Sequence, residues 1–343
     1  MKLKRGINFG GWLSQCKSYT LEHYRSFLHE EDVQQLAAWG FDHVRVPIDY
    51  EVLQHEDGSE FPEGVALVDA LVDWCERAGL NVILDLHKAP GYDFNNAGDA
   101  EKNNLFSSPA LQARFLTLWG WMARRYGGRS HVALELLNEV AEAENAAPWD
   151  ELIRRTLAEI RRYAPDCPVI YGGIQWNSAR TLKLLTPPTD KNVIYTFHMY
   201  EPIVFTHQKA YWMPQLPQDK EMAYPDTMEA YRERSAFAGV QGQSAMEAKE
   251  ERMGKPFLRA AVQEAVDAAR AAGVPVYCGE FGVIDQAPPA DSLRWLEDVM
   301  AVFAEMDIGF ALWTYKDMDF GINEPHYDSI RADMLRLLTG KEN

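Results

Sequence analysis

The chain has 343 residues, and 51 acidic against 34 basic side chains give it a formal net charge of −17. That balance leaves no basic footprint for nucleic acid, and no apolar run reaches the length that a membrane span needs. With 47% hydrophobic and 12% aromatic residues, the chain can build a large core and still supply aromatic side chains to a cleft. The composition favours a soluble protein with an uncharged ligand.

The cysteines and the amino terminus bear on the cellular compartment. The four cysteines lie far apart in the sequence and show no C-x-x-C spacing, which fits a reducing compartment better than a disulfide scaffold. Basic residues stand at positions 2, 4 and 5, but residues 6–12 lack the apolar segment of a secretory signal. The sequence therefore predicts a cytoplasmic protein without a signal peptide in this chain.

Short apolar strands and amphipathic helices alternate along the chain. The predicted strands cover residues 5–8, 43–46, 81–86, 132–137, 169–171, 192–197, 276–278 and 308–313. The predicted helices cover residues 30–39, 65–78, 109–126, 148–163, 178–185, 257–272, 292–305 and 328–338. Asp291 is expected to cap the helix that begins at residue 292. Eight strands, each followed by a helix, predict an α/β fold: one (β/α)8 TIM-barrel domain over residues 1–343.

One long segment interrupts the alternation. Residues 201–256 separate the sixth strand from its helix, and irregular segments of this length in compact domains are usually functional. The segment is rich in aromatic residues, namely Phe205, Tyr211, Trp212, Tyr224, Tyr231 and Phe237. We expect residues 201–256 to form an inserted subdomain that walls one side of the cleft.

Two buried strands each end in a glutamate. Residues 132–137 are apolar except for Glu135, and they run directly into Asn138 and Glu139. The seventh strand runs in the same way into Glu280. A strand buried on both faces needs no such polar residues at its end. Two carboxylates that flank one bond can supply the proton donor and the nucleophile of glycoside hydrolysis.

Other predicted strand ends carry further polar and aromatic residues. These residues are Arg45, His87, His198, Tyr200 and Trp313. Each has an ordinary explanation, because a strand-end histidine is more often a hydrogen-bonded structural residue and a tryptophan can simply pack the barrel. Barrel enzymes, however, build their active sites at the carboxyl ends of the strands. So many polar groups on one rim favour a catalytic site.

Residue type suggests a role for each group. Glu139 would be the general acid, which requires a raised pKa. Glu280 would be the nucleophile, kept ionised by the positive charge of Arg45. Asn138 would donate a hydrogen bond to the 2-hydroxyl of the sugar.

The remaining candidates would hold the substrate. His87, His198 and Tyr200 would position hydroxyl groups or orient the carboxylates. Trp313 would offer a flat apolar face to a pyranose ring, and Trp176 and Trp212 would be further platforms.

These residues belong to an ordered set of motifs that spans nearly the whole chain. The motifs are Gly6-Ile7-Asn8, Arg45-Val46-Pro47, Asp85-Leu86-His87, Leu137-Asn138-Glu139, His198-Met199-Tyr200, Gly279-Glu280-Phe281-Gly282 and Trp313. The set resembles glycoside hydrolase family 5, the cellulase family. Residues 197–212 and 277–284 resemble a clostridial-type endoglucanase group that lacks signal peptides and carries a subdomain in this loop.

The resemblance implies a retaining mechanism with the acid/base on Glu139 and the nucleophile on Glu280. Retention in turn predicts carboxyl groups about 5–5.5 Å apart. The resemblance implies no metal and no other cofactor.

The chain departs from the family pattern at two positions. Val140 stands where the family commonly has proline, and Lys88 stands where the endoglucanase group has a second histidine. Residues 6–13 and 85–91 also resemble the exo-β-1,3-glucanases of the same family. The expected activity is therefore an endo-β-1,4-glucanase on soluble β-glucans or gluco-oligosaccharides, extending to mixed-linkage β-1,3/1,4-glucan. An exo-β-1,3-glucanase, a β-glucosidase on short oligosaccharides and a β-mannanase are the alternatives.

Two readings from other functional classes are weaker. A metal-dependent barrel hydrolase would use His87, His198 and a carboxylate, but such sites usually show tighter spacings such as H-x-H, which the sequence lacks. A sugar-binding protein without turnover would be expected to have lost a catalytic carboxylate, yet both Glu139 and Glu280 are present.

Overall fold

The computed structural model describes residues 1–341, in which eight parallel strands close into a barrel with neighbours in chain order. The strands are β1 (Arg5–Asn8), β2 (His43–Asp49), β3 (Asn81–Lys88), β4 (Val132–Glu135), β5 (Val169–Gly172), β6 (Val193–Met199), β7 (Val276–Phe281) and β8 (Gly309–Leu312). β1 pairs with β8 through Ile7 and Leu312, which closes the sheet. The TIM-barrel prediction is confirmed.

Helices surround the barrel. They are α1 (Leu21–Phe27), α2 (Glu30–Trp39), α3 (Tyr50–Leu53), α4 (Pro62–Ala78), α5 (Pro109–Tyr126), α6 (Ala146–Arg161), α7 (Ile203–Thr206), α8 (Met228–Ser235), α9 (Gln243–Glu247), α10 (Lys255–Ala272), α11 (Pro289–Glu305) and α12 (Arg331–Thr339). The predicted helix at residues 178–185 is a 3-10 helix, Ala179–Leu184. The sequence did not predict the remaining helices because they are short, and a helix of fewer than three turns shows little amphipathic period.

The expected helix cap at Asp291 is wrong. Helix α11 begins at Pro289, three residues before the predicted start at residue 292, and the fixed φ of proline suits the first helical turn. Asp291 therefore lies inside that turn, and its Oδ2 accepts a hydrogen bond of 2.9 Å from the backbone N–H of Tyr224. The carboxylate anchors the segment of residues 201–256 to the barrel instead of capping the helix.

The period of two along each strand divides the side chains between two layers. On β3, Val82, Leu84 and Leu86 pack in the main core between sheet and helices, whereas Ile83 belongs to a small cluster inside the barrel. Polar residues with the inward parity, such as Asp85, therefore enter the barrel interior near its carboxyl end.

A bulge on β7 aims the second glutamate. Phe197 of β6 pairs with Cys278, but the next residue of β6, His198, pairs with Glu280, so Gly279 is extra. A bulge of this kind re-aims the side chain that follows it. A Cβ atom on Gly279 would lie 2.9 Å from the Oγ1 of Thr196, a separation that a real Cβ does not tolerate. Glycine is therefore required for β7 to pass this close to β6.

The segment of residues 201–256 contains α7, α8, α9 and a 3-10 helix, Gly239–Gly242. Its inner aromatic residues are buried, and the ring of Phe205 lies 5.4 Å from that of Tyr224. The Tyr224 hydroxyl donates to Asp298 of α11 at 2.8 Å. Its outer aromatic residues are exposed, with Tyr211 at 80% and Phe237 at 60%. That this segment forms a separate subdomain stays a prediction.

Two findings concern the environment of the protein. Among residues 1–341, no helix combines the length and the apolar character that crossing a bilayer requires. All four cysteines are free and buried. The cytoplasmic location stays a prediction.

Candidate active site

A cleft of about 520 Å³ opens where the barrel strands end. Eight of the ten predicted site residues line it: His87, Glu139, Trp176, His198, Tyr200, Trp212, Glu280 and Trp313. The other two, Arg45 and Asn138, lie buried and bonded to each other beneath it. The structure thus brings together all the residues that the sequence singled out.

Arg45 is the centre of the cleft floor and is fully buried. Its Nε and Nη2 donate to the two oxygens of Glu135 at 2.8 and 2.9 Å, and Nη2 lies 3.0 Å from Oδ2 of Asp85. Burial alone would lower the pKa of Arg45, but the carboxylates of Asp85, Glu135 and Glu280 raise that pKa well above its ordinary value. Arg45 therefore keeps its positive charge at every pH at which the enzyme would work.

The same guanidinium holds Glu280. Nη1 donates to Oε1 of Glu280 at 2.8 Å and to Oδ1 of Asn8 at 3.0 Å. The amide nitrogen of Asn8 donates in turn to the carbonyl of Gly279 at 3.0 Å. One cation thus fixes both the carboxylate and the backbone that carries it, which is the pairing expected for Glu280.

Tyr200 holds the other oxygen of Glu280. The Tyr200 hydroxyl donates to Oε2 at 2.9 Å. Burial and the nearby Glu280 charge raise the pKa of Tyr200 well above its ordinary value. The phenol therefore remains a hydrogen-bond donor across the working pH range.

Glu139 has a different environment. Its Oε1 lies 2.7 Å from Nδ1 of His198, and burial raises its pKa to about 7. Burial also lowers the pKa of His198 to about 4, so the imidazole is neutral near pH 7. His198 Nδ1 is 3.6 Å from Oε2 of Glu280. The histidine therefore lies between a carboxyl group that can hold a proton and a carboxylate that is paired with a cation.

His87 and Trp313 form a stacked pair in the cleft that also contains the two carboxyl groups. Their rings are nearly parallel, at 8° and 5.9 Å between centroids. His87 Nδ1 lies 2.6 Å from Oδ2 of Asp85, and burial lowers the pKa of His87 to about 4. Burial raises the pKa of Asp85 to about 7. Asp85 thus fixes the ring of His87 and also contacts Arg45.

Sequence reasoning gave no role to Asp85 or Glu135, although Glu135 carried a signal. A charge in the middle of an otherwise apolar strand indicates a buried partner, and that partner is Arg45. Sequence reasoning likewise missed Glu201, which also lines the cleft.

Two runs of residues with left-handed backbone conformation contribute to the cleft, and the sequence pattern does not predict them. Gln175, Trp176 and Asn177 have φ angles of 53°, 55° and 56°, and residues 317–319 have 60°, 60° and 59°. Gln175, Trp176, Met318 and Asp319 from these runs line the cleft. Non-glycine residues rarely adopt this conformation, and they cluster at functional sites when they do.

The two outer tryptophans lie apart from the floor. Trp176 follows β5, and Trp212 belongs to the segment of residues 201–256, where 42% of it is exposed. The ring of Trp212 meets that of Tyr211 edge to face at 4.8 Å. Both tryptophans have an accessible surface within the cleft, as platforms require.

One three-residue cluster within the described part of the chain has the ligand types of a metal site. Atoms of Glu139, His198 and Glu280 lie within 4.8 Å of one another. His198 Nδ1, however, is already bonded to Glu139, and the Arg45 guanidinium already binds Glu280. A metal cation here would have to break the hydrogen bond between His198 and Glu139 and approach the positive charge of Arg45. The arrangement suits proton transfer better than metal binding.

Comparison with known proteins places this geometry in context. Residues 7–319 match the family model described as "Cellulase (glycosyl hydrolase family 5)". The chain is 34% identical over 346 residues to Endoglucanase C of Acetivibrio thermocellus, covering 100% of this chain and 99% of that protein. It is 37% identical over 307 residues to Cellodextrinase A of Ruminococcus flavefaciens, covering 89% of this chain and 83% of that protein.

A solved structure agrees on the fold. A crystal structure described as a glycoside hydrolase superposes with a TM-score of 0.78 over 99% of both chains, at 24% identity.

Proposed function

The chain belongs to glycosyl hydrolase family 5, the cellulase family, and from that premise we propose that it is a retaining endo-β-1,4-glucanase with Glu280 as nucleophile and Glu139 as acid/base. That it is a glycoside hydrolase follows from the family match over residues 7–319. The endo-β-1,4 specificity is supported by full-length relatives that carry the names endoglucanase and cellodextrinase.

The observation that carries the mechanism is the pairing of two unlike carboxyl groups. One oxygen of Glu139 lies within 4.8 Å of one oxygen of Glu280. Retaining glycosidases separate their carboxyl groups by about 5–5.5 Å, whereas inverting enzymes need about 6.5–9.5 Å to admit a water molecule. Oxygens this close leave little room for a water molecule between the two groups, and this supports attack by Glu280 on the anomeric carbon.

The first step forms a bond between Glu280 and the sugar. Arg45 and Tyr200 each hold one oxygen of Glu280, so the carboxylate is oriented before substrate arrives. As Glu280 attacks, Glu139 transfers its proton to the departing glycosidic oxygen. With a pKa of about 7, Glu139 is protonated in acidic solution and retains a substantial protonated fraction near neutral pH.

The second step reverses the role of Glu139. Once Glu280 is an ester, its negative charge is gone, and the ionised form of Glu139 becomes more favourable. Glu139 then takes a proton from water, which attacks the anomeric carbon and releases the sugar with its original configuration. His198, neutral and bonded to Glu139, keeps the carboxyl group in place through both steps.

Asn138 and the stacked His87–Trp313 pair would recognise the sugar that carries the anomeric carbon. The amide oxygen of Asn138 accepts from Arg45 at 2.9 Å, which fixes the side chain. Its amide nitrogen donates to no group among residues 1–341 and so is available to the 2-hydroxyl. Trp313 offers the flat face against which a pyranose ring packs.

The outer cleft would hold the rest of the chain of sugars. Trp176 and Trp212 supply apolar faces, and amide side chains such as Gln175, Gln215 and Gln241 also line the cleft. Amides and aromatic faces suit an uncharged, polyhydroxylated ligand. We propose that residues 201–256 act as a cleft-wall subdomain and that the substrate is a soluble β-glucan, including mixed-linkage chains.

Product analysis over time on matched β-1,4 and β-1,3 gluco-oligosaccharides tests the specificity. We expect the β-1,4 series to give several internal fragments from the earliest time points. Glucose released singly, and mainly from the β-1,3 series, would contradict the proposal and favour an exo-acting β-1,3-glucanase. A parallel β-1,4-manno-oligosaccharide series tests the mannanase alternative.

A further inference from the structure

A third glutamate, Glu201, lines the cleft together with Glu139 and Glu280. It directly follows Tyr200, the residue that donates to Glu280. Its backbone carbonyl accepts a hydrogen bond of 3.0 Å from the indole nitrogen of Trp295 on α11. The main chain at Glu201 is thus anchored to the barrel although residue 201 opens the inserted segment.

The carboxylate of Glu201 has unused hydrogen-bonding capacity. Oε1 accepts from the hydroxyl of Ser244 at 3.3 Å, which is long for a bond between oxygens. The backbone N–H groups of Tyr200 and Glu201 lie near the carboxylate and favour its ionised form, but Oε2 accepts no hydrogen bond of good geometry among residues 1–341 and is not one of the sealed, unpartnered polar atoms of the interior. One oxygen of this half-buried carboxylate can therefore accept a further hydrogen bond from a molecule in the cleft.

No cation among residues 1–341 forms an ion pair with this carboxylate. Arg180 lines the same part of the cleft, but its Nη2 pairs with Glu247 at 2.5 Å and its Nε lies 3.5 Å from Glu264. Within the described chain, no lysine, arginine or histidine nitrogen lies within 4.0 Å of the Glu201 carboxylate. Burial raises the pKa of Glu201, and the more distant charge of Arg180 opposes that rise only in part. A carboxylate in this state gains from any neutral donor that enters the cleft.

The position of Glu201 around the barrel assigns it to one side of the reaction. The strands that lead to Glu139 and Glu280, β4 and β7, divide the barrel mouth into two arcs. His87, near the end of β3, and Trp313, directly after β8, lie on one arc, and this pair is proposed to bind the sugar that is attacked. Glu201, after β6, lies on the other arc, where the departing sugar must sit.

We propose that Glu201 binds the leaving-group sugar by accepting hydrogen bonds from its hydroxyls, and that it thereby determines specificity for glucosyl leaving groups. This inference rests on the proposed function. A carboxylate accepts two adjacent hydroxyl groups well, and a site built for hydroxyls discriminates strongly against a leaving group that lacks them. Glu201 takes no part in bond making and is a binding residue of the departing side.

Two substrates that transfer the same sugar to Glu280 but release different leaving groups test the proposed contact between Glu201 and the leaving-group sugar. Cellotriose and 4-nitrophenyl β-cellobioside both place a cellobiosyl unit on Glu280, but they release glucose and a phenol, respectively. For Glu201→Ala we expect kcat/KM on cellotriose to fall roughly 10–100-fold, the range for loss of a hydrogen bond to a charged group. On the aryl cellobioside we expect a change of less than about twofold, because the phenol lacks the hydroxyls.

Two further variants separate binding from structure. Glu201→Gln keeps the shape and should lose part of the cellotriose activity, so the test survives if the alanine variant does not fold. Ser244→Ala removes the hydrogen bond to Oε1 but leaves the carboxylate, and it should cost less than Glu201→Ala.

Three outcomes would overturn the inference. These are equal losses on both substrates, no loss on cellotriose, or a Ser244→Ala loss as large as that of Glu201→Ala. If the unaltered enzyme hydrolyses neither substrate, the proposed function itself fails, and this inference fails with it.

Discussion

The floor and the wall of the cleft differ in burial and in hydrogen bonding. The floor consists of Arg45, Asp85, Glu135, Asn138 and His198, all buried and all hydrogen-bonded. The wall is the part of residues 201–256 that lines the cleft, and its aromatic side chains are largely exposed. A buried charge must be paired, so each floor residue constrains the next. An exposed aromatic ring needs no such partner, so residues of the wall can be exchanged without leaving a buried charge unpaired.

The largest effect is expected for Glu280, the carboxylate that the floor residue Arg45 holds. Glu280→Ala removes the proposed nucleophile, and we expect kcat on cello-oligosaccharides to fall by roughly 10⁴-fold or more. Calorimetry should still detect oligosaccharide binding, because the platforms remain. Retained hydrolysis would contradict the assignment.

Glu139→Gln tests the proton donor. We expect kcat/KM to fall roughly 10²–10⁴-fold on cello-oligosaccharides, and much less on 2,4-dinitrophenyl β-cellobioside, whose leaving group needs no proton. The same loss on both substrates would place the proton donor elsewhere.

The pH dependence of the unaltered enzyme follows from the pKa of Glu139, which burial raises to about 7. The acid is active in its protonated form, so kcat/KM should decrease as the pH rises through about 7. With the dinitrophenyl substrate this decrease should be weak, which serves as the internal control. A decrease that is equally steep with both substrates would mean that another group titrates.

Arg45→Lys weakens the floor while keeping its charge. Arg45 donates five hydrogen bonds, and lysine offers fewer donors without the planar fork. We expect the free energy of unfolding in urea to fall by about 3 kcal/mol, because the single ammonium cannot reach all the buried oxygens that the guanidinium binds, and some are left without a donor. The matched control is Arg125→Lys at the exposed pair with Asp69, where we expect less than about 1 kcal/mol. Similar values for the two variants would contradict the central place of Arg45.

The smallest change belongs to the wall. Trp212→Ala should raise KM on cello-oligosaccharides by up to about tenfold with kcat nearly constant, because stacking far from the reacting bond binds ground state and transition state alike. Phe237→Ala is the control, since Phe237 is also exposed in this segment but does not line the cleft. A fall in kcat instead of a rise in KM would give Trp212 a part in the chemistry.

The sequence predicted the floor better than the wall, for a physical reason. A polar residue after an apolar strand, such as Glu139 or His87, is improbable unless it is used, and the barrel brings all such ends to one rim. The order of strands and helices followed from the same periodicity. The partners of Arg45 below the rim were less visible, because parity along a strand shows that Asp85 points inward but not which group it meets.

The wall gave weaker signals. Its helices are too short for an amphipathic period, and the left-handed runs near Trp176 and Met318 have no residue signature. Asp291 had the right residue type for a helix cap, yet its carboxylate holds Tyr224 instead. Glu201 lies in the segment of residues 201–256, where the aromatic residues are the only signal of function that the sequence gives. Tertiary contacts decided each of these, and local sequence does not encode them.

The central claim is that Glu280 forms a covalent bond with the sugar. Incubation with 2,4-dinitrophenyl 2-deoxy-2-fluoro-β-cellobioside should form a long-lived glycosyl-enzyme, because the fluorine slows its hydrolysis. Mass spectrometry of the intact protein should show one added fluorocellobiosyl group, and peptide sequencing should locate it on Glu280. A label on any other residue, or none after the dinitrophenol has been released, would contradict the account.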